Sequence, residues 1–385
     1  MSESFLPVVA LLLALASTLA WRPAPPWVWA WKAAIAVTEF GHWFVFLPLG
    51  LLALAWVGGG GWWLGSAALL GGLAVVSLLR PAWLAHRLAR DLPAQLAQAF
   101  GATAAEPRAA VFSWLRLYGR REERPVRPRV EIFANPGGEA LALDFYPARR
   151  DGPAPCLIVV HGGGWDGGDR TQLAEWNAVW AARGYAVAAV SYRLAPQHPW
   201  PAQREDVAAA LAWLKTHAKR LGVDAARFVL VGRSAGGQIA AAVAYGADDP
   251  AIVGVVSFYA PQDMAFAWSV SREDDALNSV KLMRQYLGGP PDTPARRATY
   301  DSASAQAMVG PRTPPTLLLH GDPDTLVWVR HSERLAARLR EAGVRHHFVR
   351  LPWATHGFDF NRHGPAGQLA DFAIDRFLRA VAAGR

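Results

Sequence analysis

Between residues 4 and 79 the only Asp, Glu, Lys or Arg side chains are Arg22, Lys32 and Glu39. A water-facing surface needs far more charge than that, so this stretch belongs in an apolar medium. It divides into runs at 5–21, 33–57 and 62–79, each near the ~20 residues that cross a hydrocarbon core. Tryptophans gather at the ends of the runs, at Trp21, Trp27, Trp29, Trp31, Trp56, Trp62, Trp63 and Trp83, as rings that settle at headgroup level do. The expectation is a transmembrane anchor of about three spans within residues 1–90. A mean hydropathy of +0.11 over the whole chain agrees with such a concentrated apolar region.

Orientation follows from the basic residues. Arg22 and Lys32 fall in the first loop, the glycine run at 58–61 carries none, and Arg80, Arg87 and Arg90 follow the third run. The positive-inside rule then leaves the N-terminus outside and the rest of the chain in the cytoplasm, a multi-pass membrane protein with lipids as partners. A cleaved signal peptide fits less well, because residues 1–5 hold no Lys or Arg and two further apolar runs follow. Glu39 and His42 lie at i and i+3 inside the second run. They read either as a buried polar site or as a helix-end pair at the interface. The net charge of +8 comes from scattered arginines without a nucleic-acid motif, so an anionic membrane surface suits it better than nucleic acid. Cys156 is the only cysteine, which excludes an internal disulfide and a cysteine zinc site; in an apolar strand it reads as a small core residue.

Residues 91–128 change to Ala, Leu and Arg, with Arg108, Arg116, Arg120, Arg121, Arg124 and Arg127 among Val111, Phe112, Leu115 and Leu117. This reads as an amphipathic juxtamembrane or cap segment, or as a solvated linker, and Pro125 and Pro128 mark its end. From 129 to 385 short apolar runs alternate with helical stretches. Strands are expected at 130–133, 141–146, 157–160, 186–192, 228–231, 252–258, 316–319 and 347–351, and helices at 202–221, 236–245, 330–342 and 368–383. That alternation predicts an α/β fold, a mostly parallel eight-stranded sheet flanked by helices, with ligands beyond the carboxyl ends of its strands.

The chemistry-bearing residues fall just there. Val229-Leu230-Val231 runs into Gly232-Arg233-Ser234-Ala235-Gly236-Gly237 and a small-residue helix, the context of a nucleophile elbow. Ser234 is the expected nucleophile. Upstream, an apolar strand ends in His161-Gly162-Gly163-Gly164-Trp165, a glycine loop whose amides can face an oxyanion. Gly163, Gly164 and Ala235 are the expected donors, with His161 bracing the loop. A phosphate loop would carry a helix and a Lys directly after the glycines, which Trp165-Asp166 does not supply. Downstream, Asp322 and Asp324 follow a strand, and His356 follows the last one. Ser, Asp and His thus occur in the chain order of the α/β-hydrolase triad, with the imidazole to carry the serine proton and the acid to orient it.

His161-Gly162-Gly163-Gly164, Ser191-Tyr192-Arg193-Leu194-Ala195-Pro196, the elbow, Asp324 and His356-Gly357-Phe358 resemble the hormone-sensitive-lipase-type esterases and their carboxylesterase relatives. The resemblance covers about 129–385 and implies the α/β-hydrolase fold and ester hydrolysis through an acyl-serine, without a cofactor or metal. Its Gly-x-x-Asp-x-x-Val pattern favours Asp324 as the triad acid and leaves Asp322 to brace the loop. Ser191 and Arg233 depart from the residues common in relatives, as do the apolar N-terminal runs, and these bear on substrate range. Asp206 reads as a structural acid heading a helix, and 262–312 as a lid or a connecting excursion. The acyl-serine serves esterase, lipase, amidase, formamidase, peptidase or acyltransferase chemistry alike, and a receptor or scaffold on this fold is the non-catalytic reading.

Overall fold

The computed structural model describes residues 5–57, 62–101, 110–119 and 125–382. The glycine run at 58–61 and Arg108, Arg120, Arg121 and Arg124 lie outside the described residues, as do the side chains of Trp62 and Trp63. The N-terminal region is helical, with α1 (Phe5–Ser17), α2 (Val28–Phe44), α3 (Phe46–Val57) and α4 (Trp62–Phe100). Two boundaries differ from expectation. The run at 33–57 breaks at Val45, where α2 and α3 bend by 53°. Pro48 accounts for it: the ring has no N–H to reach the carbonyl of Phe44 four residues back and would collide with it. The run at 62–79 does not stop there, and the expected domain boundary at 90 falls inside the continuous α4. Among the described residues Gly65–Phe100 is the single stretch long and apolar enough to cross a membrane alone; α2 and α3 qualify only as a bent pair, and Pro7–Ala20 is shorter.

After the short α5 (Trp114–Tyr118) come β1 (Arg129–Ala134), β2 (Leu141–Tyr146), β3 (Ala154–Val160), α6 (Ala174–Ala182), β4 (Ala186–Val190), α7 (Ala202–Thr216), α8 (Ala218–Leu221), β5 (Val223–Arg233), α9 (Ala235–Gly246) and β6 (Ile252–Phe258). The excursion at 262–312 holds α10 (Met264–Val270), α11 (Ser279–Leu287) and α12 (Pro294–Ala303); β7 (Thr316–Gly321), α13 (Arg330–Glu341), β8 (His346–Leu351) and α14 (Pro365–Ala382) complete the chain. The excursion helices start where side chains can cap them. Asp263, Asn278 and Thr293 each accept from a backbone amide of the first turn.

The eight strands form one sheet in the order β1-β2-β4-β3-β5-β6-β7-β8. β2 pairs antiparallel with β1 and β4, and the remaining ladders are parallel. Both faces are covered. Cys156, Ile158 and Val160 of β3 point into the layer holding α7 and α9, while Leu157 and Val159 point into the layer holding α6 and α14. That double burial is why these strands read as unbroken apolar runs.

The end of α4 belongs to the second layer. Leu92, Leu96 and Phe100 are buried there, and the Phe100 ring meets Phe377 of α14 edge-on at 4.8 Å. Arg116 reaches Asp371 of α14 at 3.4 Å, so this part of the arginine-rich segment is docked rather than solvated. Leu96→Ala is therefore expected to lower the stability of the sheet domain by ~2–5 kcal/mol, as a buried Leu truncation does, measured by chemical denaturation of the full chain.

Candidate active site

β5 ends at Arg233 and α9 begins at Ala235, so Ser234 alone makes the turn. Its φ of 51° and ψ of −122° lie where a residue with a Cβ rarely sits. Close backbone approach makes glycine obligatory on either side. A Cβ on Gly232 would lie 2.2 Å from the Gly236 oxygen, and one on Gly236 would lie 2.2 Å from the His161 oxygen. The turn is pinned by the Ser234 amide donating to Phe258 O at 2.9 Å and by Ser234 O accepting from Gly237 N at 2.9 Å.

Asp324 and His356 reach this turn from the loops after β7 and β8. His356 Nε2 lies 2.9 Å from Ser234 Oγ, and its Nδ1 lies 2.7 Å from Asp324 Oδ2. Facing a carboxylate, Nδ1 carries the proton, which leaves Nε2 to accept from the serine hydroxyl. Asp324 is buried and fully partnered: Oδ1 accepts from the amides of Leu326 and Val327 at 2.9 and 3.0 Å, and His320 Nε2 stands 3.2 Å from Oδ2. Burial pushes its pKa up, but the facing His356 and the bond from His320 outweigh burial and hold the carboxyl well below its usual range. Asp322 instead pairs with Arg350 at the surface, in keeping with a bracing role.

The glycine loop lies alongside. Among the described residues no acceptor pairs with the amides of Gly163, Gly164 or Ala235. His161 stacks on Tyr192 at 4.2 Å with Nδ1 2.9 Å from Gly162 O, and burial pushes it down to about 4, so it stays neutral and braces the loop. Asp206 accepts from the backbone and side chain of Arg193 and is structural. Among the described residues no group of three or more His, Cys, Asp or Glu side chains is arranged to hold a metal.

A family model described as BD-FAE matches residues 143–339. Over 97% of this chain and 92% of the relative, the sequence is 29% identical to a probable carboxylic ester hydrolase, LipM, of Mycobacterium tuberculosis. It is 31% identical to esterase LipC of the same organism over 68% of this chain and 67% of that one. The crystal structure of esterase LipW from Mycobacterium marinum matches with a TM-score of 0.56 at 26% identity, covering 79% of this chain and 89% of the other. The chain belongs to the hormone-sensitive-lipase-type esterases of the α/β-hydrolase fold.

In this esterase the residue before Ser234 is a buried cation. Arg233 lies over Phe258 and donates through Nε to Asp359, 126 residues away, at 2.5 Å. Asp359 also accepts from the Tyr259 hydroxyl, and the Tyr259 ring packs 4.4 Å from the His356 imidazole. Burial and the neighbouring Asp359 raise the phenol far above its ordinary range, so it remains a donor. The only sequence trace of this pair was Arg233 standing where relatives carry other residues.

The N-terminal helices reach the same place. Trp31 Nε1 donates to the His356 carbonyl at 2.8 Å. Glu39 and His42 are both buried and bond not to each other but to later parts of the chain: Glu39 Oε2 accepts from Ala366 N of α14 at 3.1 Å, and His42 Nε2 lies 3.0 Å from Leu117 O of α5. Two cavities flank Ser234. One of about 240 Å³ is lined by Pro26, Ala267, Val270, Leu282, Met283 and Trp328, and one of about 380 Å³ by Trp31, Gly163, Tyr259, Leu277, His356 and Phe360. Leu282 of α11 borders both, so the excursion helices wall the site.

Removing one member of a buried ion pair strands the other. Asp359→Ala is expected to cost ~3–5 kcal/mol by denaturant melting, and the double change Arg233→Met with Asp359→Leu is expected to cost less than the single one.

Proposed function

We propose that this esterase cleaves its substrate through an acyl-serine formed on Ser234, with His356 as general base and acid and Asp324 as its orienting carboxylate. The observation that carries the reading is the imidazole bridging Ser234 Oγ and Asp324 Oδ2 at 2.9 and 2.7 Å. Ser234 Oγ attacks the ester carbonyl as its proton passes to His356 Nε2, and Asp324 stabilises the imidazolium. The amides of Gly163, Gly164 and Ala235 receive the oxyanion, each donor worth roughly 3 kcal/mol in the transition state. Collapse expels the alcohol with the proton from Nε2; water, deprotonated by the same nitrogen, then releases the acid and restores Ser234. Ser234→Ala is expected to lower kcat on p-nitrophenyl butyrate on the order of 10⁶-fold and to abolish fluorophosphonate labelling. Turnover retained in that variant overturns the reading.

The same proposal places residues 1–90 in and on a cytoplasmic membrane face as an anchor of up to three passes, 129–385 as the catalytic domain and 262–312 as its lid. Support comes from apolar side chains left exposed on α1, α3 and the first half of α4, such as Leu12 (60%), Trp56 (81%), Leu69 (66%) and Val76 (60%). Further support comes from the turn after α1 meeting α4: Trp21 Nε1 donates to Ser77 Oγ at 2.9 Å, and the Arg80 guanidinium sits 4.4 Å from the Trp21 ring. That contact puts Arg80 beside Trp21, the residue before Arg22 in the basic first loop. An apolar site beside lipid favours hydrophobic esters. The expected result is retention of the chain in membranes after alkaline carbonate washing, with the catalytic domain cut by protease only in inside-out vesicles; release by carbonate or cutting in right-side-out vesicles contradicts it.

A further inference from the structure

We infer that α2 is a positioning element of the reaction, holding the loop that carries His356, so that the apolar N-terminal segment completes the active site as well as anchoring it. The inference rests on His356 being the general base. That histidine stands on an irregular loop between β8 and α14, stabilised locally by short turns such as Phe358 N to Thr355 O at 3.2 Å and Gly364 N to Asn361 O at 3.0 Å. No sheet ladder reaches it. Beyond its contacts with Asp324 and Tyr259, the imidazole is placed by what holds its backbone, and a displacement of about 1 Å at such a group can cost 10²-fold in rate.

α2 grips this loop along its length. At one end the half-buried Trp31 donates from Nε1 to the carbonyl of His356 itself at 2.8 Å, a bond spanning 325 residues. Ile35, one turn on, reaches Gly357, where an added Cβ would lie 3.6 Å from its Cδ1. Another turn on, Asn361 Nδ2 donates to Glu39 O at 2.7 Å, and Glu39 Oε2 accepts from Ala366 N at the start of α14. Residues 31, 35 and 39 recur at four-residue spacing, so one helix stripe faces the loop from His356 to Ala366. On the opposite side Asp359 ties the loop to Arg233 and Tyr259. The loop is thus held between the nucleophile's own turn and the N-terminal helix.

The test uses the full chain in detergent micelles, with p-nitrophenyl butyrate as substrate and rates normalised to active sites titrated by complete fluorophosphonate labelling. Trp31→Phe keeps a ring and removes the donor, and Asn361→Ala removes the bond to Glu39 O. Each is expected to lower kcat and the rate of fluorophosphonate adduct formation about three- to tenfold, the scale of one net hydrogen bond, with KM within about twofold of wild type. The two variants combined are expected to lose less than the product of their separate effects, because they release the same loop. Per-site kcat and adduct rates at the wild-type level in both variants overturn the inference. An unreactive wild-type Ser234 would instead sink the underlying triad reading.

Discussion

The active site depends on a backbone turn that would not survive by itself. Ser234 sits at a positive φ, a conformation costing of order 1–3 kcal/mol, and persists because the chain on both sides has nowhere else to go. β5 lies between β3 and β6 in parallel register, and Gly236 packs against the carbonyls of Val160 and His161. The Ser234 turn and the glycine loop are therefore a single close-packed unit. In the proposed reaction the amides of Gly163, Gly164 and Ala235 and the serine hydroxyl all belong to this unit, which limits reorganisation as charge develops.

Charge burial divides the electrostatic tasks between two acids. Asp324 has both oxygens occupied by histidines and amides and stays ionised beside His356. Asp359, three residues past His356, neutralises Arg233 and accepts from Tyr259, whose ring lies against the imidazole. The first acid sets the tautomer of His356, and the second secures the walls around it. Such pairs are poor sources of stability but severe to break.

The N-terminal helices are joined to this arrangement by polar as well as apolar contacts. α4 contributes Leu92, Leu96 and Phe100 to the core layer behind the sheet, and α2 supplies Trp31 to the His356 loop, Glu39 to the start of α14 and His42 to α5. Here the apolar segment and the histidine loop share hydrogen bonds.

Local pattern carried much of this in the sequence. Strand runs, the glycine-flanked serine, and an acid and a histidine just after strands are legible because each reflects short-range geometry: a buried parallel strand, a tight turn, a carboxyl-end loop. The break at Val45 was missed: Pro48 cannot bond back to Phe44, but the apolar run around it conceals the signal. What only the tertiary structure decided are pairings between distant positions: Arg233 with Asp359, His320 with Asp324, Leu96 with the α14 layer, and Trp31 with His356. An isolated Arg, Asp or Trp has no period and no spacing to reveal its partner. Those contacts exist only once the sheet has closed and its loops have been brought to one edge, because it is the packing of remote segments that makes each of them neighbours.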